Sequence, residues 1–321
     1  MSVVAGCSLL NGVLLASDCR ATIKRHPASD VHVDTVQKIF GVLPHTAIGF
    51  VGDIGAAGFM LYHLLIQARR KKKSNPRDLL RWFSRFLRRS YADYRPKGRG
   101  KGDVFFMGAS ILAGEPNVIE RQAFVDMMED IRLGKMTVNT SSLPNIFFDA
   151  LKLYSRYSHI KMPGTSRGLL YVMRPPLFEV EHYSPLQVAA IGSGGRVIED
   201  LQGYRNVIFG MPQENSFAAV NLLRRVIQGF TERHCIESVG GLLPAFKVTA
   251  RGIEVLDYEM EIPVGGTRIT LAYENGRLIQ KNLTTGKEIP LLFPWELDFD
   301  RIQRGIRFDD LDDAFKKFRE E

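Results

Sequence analysis

The sequence predicts an α+β protein in which two sheets stack face to face and carry helices on both outer faces, a four-layer αββα sandwich. Three observations lead there. Residues 3–9 and 12–19 are apolar at nearly every position instead of alternating, as strands covered on both faces are. The elements then follow as strands, two helices, strands, two helices, strands, which loads helices onto sheets in blocks. That order lacks the regular strand–helix alternation of a doubly wound parallel sheet.

The elements can be taken in turn. The two opening runs are joined by Asn11-Gly12, a strong hairpin signal. Residues 36–42 and 46–51 form a second hairpin around Leu43-Pro44-His45. The apolar period then becomes helical over 55–72 and 76–94, with Asn75 as cap and Pro76 in the first turn of the second helix. Trp82, Phe83, Phe86 and Leu87 give that helix one apolar stripe, while Arg81, Arg85, Arg88 and Arg89 occupy the rest. A Gly- and Lys-rich linker leads to a strand over 104–112. Residues 115–167 break the rhythm and form an insertion with a helix at 143–157. Strands resume at 168–173, 177–182 and 186–191, followed by Gly192-Ser193-Gly194-Gly195 and a short helix. A longer helix covers 216–234 and a last core strand 245–255. The core therefore spans 1–255. Residues 256–321 form an extension, a two-stranded unit turning at Asn275-Gly276 and an acidic tail that ends in a helix.

Composition limits the function. A chain of 321 residues with 45% hydrophobic and 24% charged residues matches a soluble globular protein. Its three cysteines, Cys7, Cys19 and Cys235, make neither a metal-ligand spacing nor a disulfide framework, which fits a reducing cytoplasm. The seven histidines form no HExxH-like pair, so neither a metal nor another cofactor is expected. The apolar run 54–66 contains His63 and is too short to span a bilayer, and no basic leader precedes the first strand. No membrane association is expected. The net charge of +8 is concentrated in 69–101, where fourteen Lys and Arg face two Asp. Such a run ordinarily forms a solvated face, which argues against nucleic-acid binding.

The residues that carry chemistry lie mostly in the first fifty-two. Ser2-Val3-Val4-Ala5-Gly6 followed by Asn11-Gly12 and Ser17-Asp18-Cys19-Arg20-Ala21-Thr22 resembles the start of proteasome β subunits and their bacterial relatives, which are N-terminal nucleophile hydrolases. The resemblance places the nucleophile at Ser2, a buried aspartate at Asp18 and, through Val36-Gln37-Lys38-Ile39, the family lysine at Lys38. Ala47-Ile48-Gly49-Phe50-Val51-Gly52 is similar to the strand-to-helix elbow whose N–H forms the oxyanion hole, which implies Gly52. Ala190-Ile191-Gly192-Ser193-Gly194 matches the turn whose serine supports the free N-terminus, which implies Ser193. Glu237-Ser238-Val239-Gly240-Gly241 stands where the family has Asp-x-x-Ser-Gly-Gly, and Ser238 is the serine it offers. With the glycines aligned, the family's Asp and Ser fall on Ile236 and Val239. The Ser-Val-Gly form looks closer to the bacterial ancestral-β-type homologues than to proteasome subunits. The resemblance covers about residues 2–110 and 168–255.

The chemistry has its own logic. A serine hydroxyl needs a base, and an N-terminal serine carries one in its α-amine, with a pKa near 8. Met1 precedes a small residue, the kind of methionine that aminopeptidases remove. Lys38 beside Ser2 would favour the alkoxide, and Asp18 would hold Lys38 charged. An N–H at Gly52 would stabilise the oxyanion by about 3 kcal/mol. The expected product is an acyl-enzyme ester at Ser2, formed from a peptide or protein substrate. Asp53 follows Gly52 and would put a carboxylate near the oxyanion hole.

Other readings remain open. A strand-end aspartate ordinarily pairs with a base such as Arg20, and a lysine at a strand start ordinarily faces solvent. Gly192-Ser193-Gly194-Gly195 could cradle a phosphate, though no Walker-type lysine follows. The same fold could serve as a catalytically inactive scaffold or partner-binding subunit. The resemblance also implies self-assembly of identical copies into a ring or an open array.

Overall fold

A computed structural model describes residues 2–9, 11–23, 30–68, 70, 76–94, 102–112, 115–120, 133, 159–162, 166–183, 187–193, 221, 224–225, 227–229, 239–256, 260–262 and 267–297. The N-terminal part contains β1 (Val3–Leu9), β2 (Gly12–Ser17), β3 (Ala21–Ile23), β4 (Val31–Val33), β5 (Ile39–Leu43) and β6 (Thr46–Gly52). Two helices follow, α1 (Ile54–Ala68) and α2 (Pro76–Asp93). Next come β7 (Val104–Leu112), β8 (Asn117–Glu120), β9 (His159–Met162), β10 (Arg167–Met173), β11 (Val180–Tyr183) and β12 (Val188–Gly192). The chain continues with β13 (Ala245–Thr249), β14 (Gly252–Val255), β15 (Met260–Ile262), β16 (Thr267–Glu274), β17 (Arg277–Asn282) and β18 (Glu288–Pro290).

The protein is α+β, with its main sheets antiparallel throughout. Sheet 1 runs β12-β1-β2-β13-β14 and sheet 2 runs β11-β10-β7-β6-β5. Every residue of β1 and β2 is buried, as their unbroken apolar runs predict. Val4, Val13, Leu15, Phe246 and Val248 of sheet 1 share one core with Ala47, Met107, Ala109, Leu170 and Val172 of sheet 2. The other face of sheet 2 is covered by α1 and α2. α2 buries Leu79, Leu80, Phe83 and Leu87, at helical spacing, and leaves Arg81, Arg85, Arg88 and Arg89 exposed. The helix expected over 143–157 and the acidic tail beyond Leu297 lie outside the described residues. Of the helix expected over 216–234, the described residues 221, 224, 225 and 227–229 are helical, with Ile227 buried.

Four expectations change in detail. The strand expected over 245–255 is a hairpin. Arg251 N–H donates to Thr249 Oγ1 (3.1 Å), which in turn donates to Gly252 O (3.1 Å), closing a turn where the apolar run looked continuous. The strand expected from 177 starts at Val180, because Phe178 takes a left-handed φ of 53° and turns into the helix-side core against Tyr91 and Phe106. Residues 36 and 37 do not pair in the β5–β6 hairpin, and Lys38 joins it only through its carbonyl, which accepts from Phe50 N–H (3.1 Å). Val36 forms a parallel bridge with Leu292 instead. The expected two-stranded C-terminal unit is a four-stranded sheet, β15-β16-β17-β18, around the Asn275-Gly276 turn. Its outer strands have three residues each, too short for a periodicity signal.

Candidate active site

The antiparallel pairing of β1 with β2 sets Val4 opposite Ser17, so Ser2 and Asp18 meet at one end of the hairpin. Asp18 N–H donates to Val3 O (3.2 Å), and Val3 N–H returns a bond to Asp18 Oδ1 (2.9 Å). Lys38 comes from the segment just before β5, at the edge of sheet 2. Its Nζ donates to Ser2 Oγ (2.7 Å), to Asp18 Oδ2 (2.9 Å) and to the carbonyl of Arg20. An ammonium has three protons, and each has an acceptor. Asp18 is 0% exposed, Lys38 1% and Ser2 8%, so the pair is shielded from water.

The structure therefore brings Ser2, Asp18 and Lys38 together, and Lys38 is buried rather than at the surface. Burial pushes the Asp18 carboxyl above its usual value. The Lys38 charge and hydrogen bond, followed by the N–H groups of Val3 and Gly240, pull it the other way. Arg20 does not take the ion-pair role with Asp18. Its guanidinium grips Asp34 through two bonds of 2.5 and 2.8 Å, while its backbone N–H reaches Asp18 Oδ2 (3.3 Å).

β12 brings in the third part of the site. Gly192 pairs with Val3, and Ser193 N–H donates to Ser2 O (2.9 Å). Gly192 has φ +80°, and a Cβ there would lie 2.1 Å from Ser2 O, so no side chain fits. Ser193 Oγ is buried at this junction without a hydrogen-bond partner. Gly52 ends β6 with φ +104°, and a Cβ would lie 2.2 Å from Asp103 O. It is exposed, whereas the rest of β6 is buried. The Asp53 carboxylate turns to the start of α1, where Oδ1 accepts from Gly55 N (2.9 Å) and Ala56 N (3.1 Å). Oδ2 accepts from Gly102 N (3.2 Å), so the carboxylate expected near the oxyanion position is a helix cap.

Ser238 lies outside the described residues. Nearby, Gly240 O accepts from the N–H groups of Cys19 (3.2 Å) and Arg20 (3.0 Å), which places Gly240 against the Asp18 end of β2. The Arg20–Asp34 clamp and the links made by Gln37 escaped the sequence reading. Arg20 belongs to the recognised motif, but Asp34 sits in a loop with no periodic signal. Cys19 is fully buried, and so is Cys7, whose thiol burial pushes up to about 12. Both thiols are shielded from solvent. Among the described residues no three His, Cys, Asp or Glu side chains converge as metal ligands, and no helix is long and apolar enough to cross a membrane.

No protein-family model matches the chain, and no curated protein sequence matches it.

Proposed function

We propose that the chain is an N-terminal nucleophile hydrolase, with Ser2 as nucleophile once Met1 has been removed. More particularly, it is a proteasome-like serine peptidase or amidase of the bacterial ancestral-β type, with helices over both outer sheet faces in a four-layer αββα sandwich. One observation carries this reading: buried Lys38 Nζ lies 2.7 Å from Ser2 Oγ and 2.9 Å from Asp18 Oδ2.

The chemistry follows from that contact. The free α-amine of Ser2 takes the Oγ proton, directly or through one water. Lys38 donates to the oxygen as it gains charge, and Asp18 keeps the ammonium paired in a dry setting. The new Oγ–C bond gives a tetrahedral oxyanion, for which the Gly52 N–H is the proposed donor, worth about 3 kcal/mol. Collapse breaks the C–N bond and passes the proton to the leaving amine. Water then releases the acyl group from Ser2, returning the proton to the hydroxyl. Ser193, tied to Ser2 by its own N–H, offers its unpartnered hydroxyl to the new amine.

The substrate class is a peptide or protein, and identical copies assemble into a ring or open array. Both points rest on the resemblance of the first fifty-two residues. Intact mass tests the core claim. The mature protein is expected to lack Met1 and to gain the mass of a peptide β-lactone, mapped to Ser2. Retention of Met1, or no adduct at Ser2, overturns the reading and leaves a non-catalytic subunit.

A further inference from the structure

The Lys38 side chain is fixed by Ser2, Asp18 and the Arg20 carbonyl, but its backbone lies outside regular sheet. Residues 34–38 precede β5, and only the Lys38 carbonyl is bonded to β6, accepting from Phe50 N–H (3.1 Å). On the other side this segment is held by Leu292, two residues beyond the end of β18. Gln37 N–H donates to Leu292 O (2.8 Å), and Leu292 N–H donates to Thr35 O (2.8 Å).

The Gln37 side chain completes the link. It is 0% exposed, and its carboxamide spends both donors and its acceptor on backbone. Oε1 accepts from Leu278 N–H (2.8 Å), and Nε2 donates to Gly276 O (3.1 Å) and to Ile39 O (2.9 Å). One side chain thus fastens both flanks of Lys38 to the β16–β17 turn, some 240 residues away. Tyr273 adds a second tie, its hydroxyl accepting from Gly41 N–H (2.9 Å) where β5 bulges. Ile269 of β16 is fully buried, and Leu271 and Leu278 join the core between the main sheets, so the anchor is packed into that core.

We propose that Gln37 is a positioning residue for Lys38, through which the C-terminal sheet sets the placement of the ammonium at Ser2. The proposal rests on the Ser2 reading for its effect on rate, but not for its effect on Lys38. Two full-length variants separate positioning from simple stability. Gln37→Met keeps the length of the side chain and removes its three bonds. Leu271→Ala loosens the same sheet through packing and leaves those bonds in place. Thermal melting, the rate of β-lactone acylation at Ser2 across pH, and native-state reductive methylation of Lys38 are measured on both.

Gln37→Met is expected to slow acylation about 10-fold or more, with an altered pH profile, and to raise methylation of Lys38. Leu271→Ala is expected to lower the melting temperature with acylation and Lys38 labelling close to the parent. Equal effects of the two variants at equal loss of stability overturn the proposal, as does a Gln37→Met protein with the parent's rate and labelling. If the parent itself forms no adduct, the Ser2 reading fails, and Lys38 labelling alone decides the role of Gln37. If Gln37→Met does not fold, Tyr273→Phe replaces it, with the same two outcomes.

Discussion

The two cores on either face of sheet 2 are built differently. Between sheet 2 and the helices, Phe40, Phe50, Phe83, Phe106, Tyr171 and Phe178 pack together, and among the described residues no buried charged side chain belongs to α1, α2, β6, β7 or β10. Near Ser2, at the end of the layer between the sheets, a charged pair is buried at 1% exposure or less. The first arrangement gains stability from area alone, on the order of 1.5–3 kcal/mol for each fully buried large side chain. The second costs several kcal/mol per ion in desolvation, which the mutual attraction and the extra donors offset. An ion pair is a poor route to stability, and under the proposed function it holds Lys38 at the adjacent hydroxyl.

That contrast can be broken from either side. The largest effect is expected from Ser2→Ala, which should abolish adduct formation while leaving the melting temperature near the parent value. Lys38→Met should cost about 3–5 kcal/mol, because it strands the Asp18 carboxylate. Adding Asp18→Asn should restore much of that stability and none of the acylation, as read by denaturant titration beside inhibitor labelling. Phe83→Ala should also cost about 3–5 kcal/mol through the cavity it leaves. Acylation per folded molecule should stay unchanged, and a fall would mean that the helix-side core shapes the site. Asp53→Ala should cost about 1 kcal/mol through the lost cap of α1, with acylation retained. A sharp fall in acylation would return Asp53 to the oxyanion site. The smallest effect is expected at Arg85→Ala, within about 0.5 kcal/mol, since that side chain lies on the exposed face of α2.

Legibility differed between the same regions. The β1–β2 hairpin, α1 and α2 were readable because their apolar periods are unbroken and their punctuation is local: Asn11-Gly12, and Pro76 at the first turn of α2. The three-residue strands β3, β4, β15 and β18 carry no such period, although each pairs with a strand adjacent to it in the chain. Asp53 shows the same limit at a single residue. Sequence placed its carboxylate beside Gly52, whereas the start of α1 turned it to the N–H groups of Gly55 and Ala56.

The sequence by itself determined the α+β class of the fold and the two-sided burial of β1 and β2, while the set Ser2, Asp18, Lys38, Gly52 and Ser193 is what the resemblance of its motifs proposes. Residue type and spacing suffice for the first two, because hydrophobic period is a local property. Only the tertiary structure decided that Lys38 points inward, that Arg20 belongs to Asp34, and that Gln37 ties the lysine segment to a turn some 240 residues away. A long polar side chain reaches several ångströms in any direction, and the partner it finds is fixed by which strands the fold lays side by side.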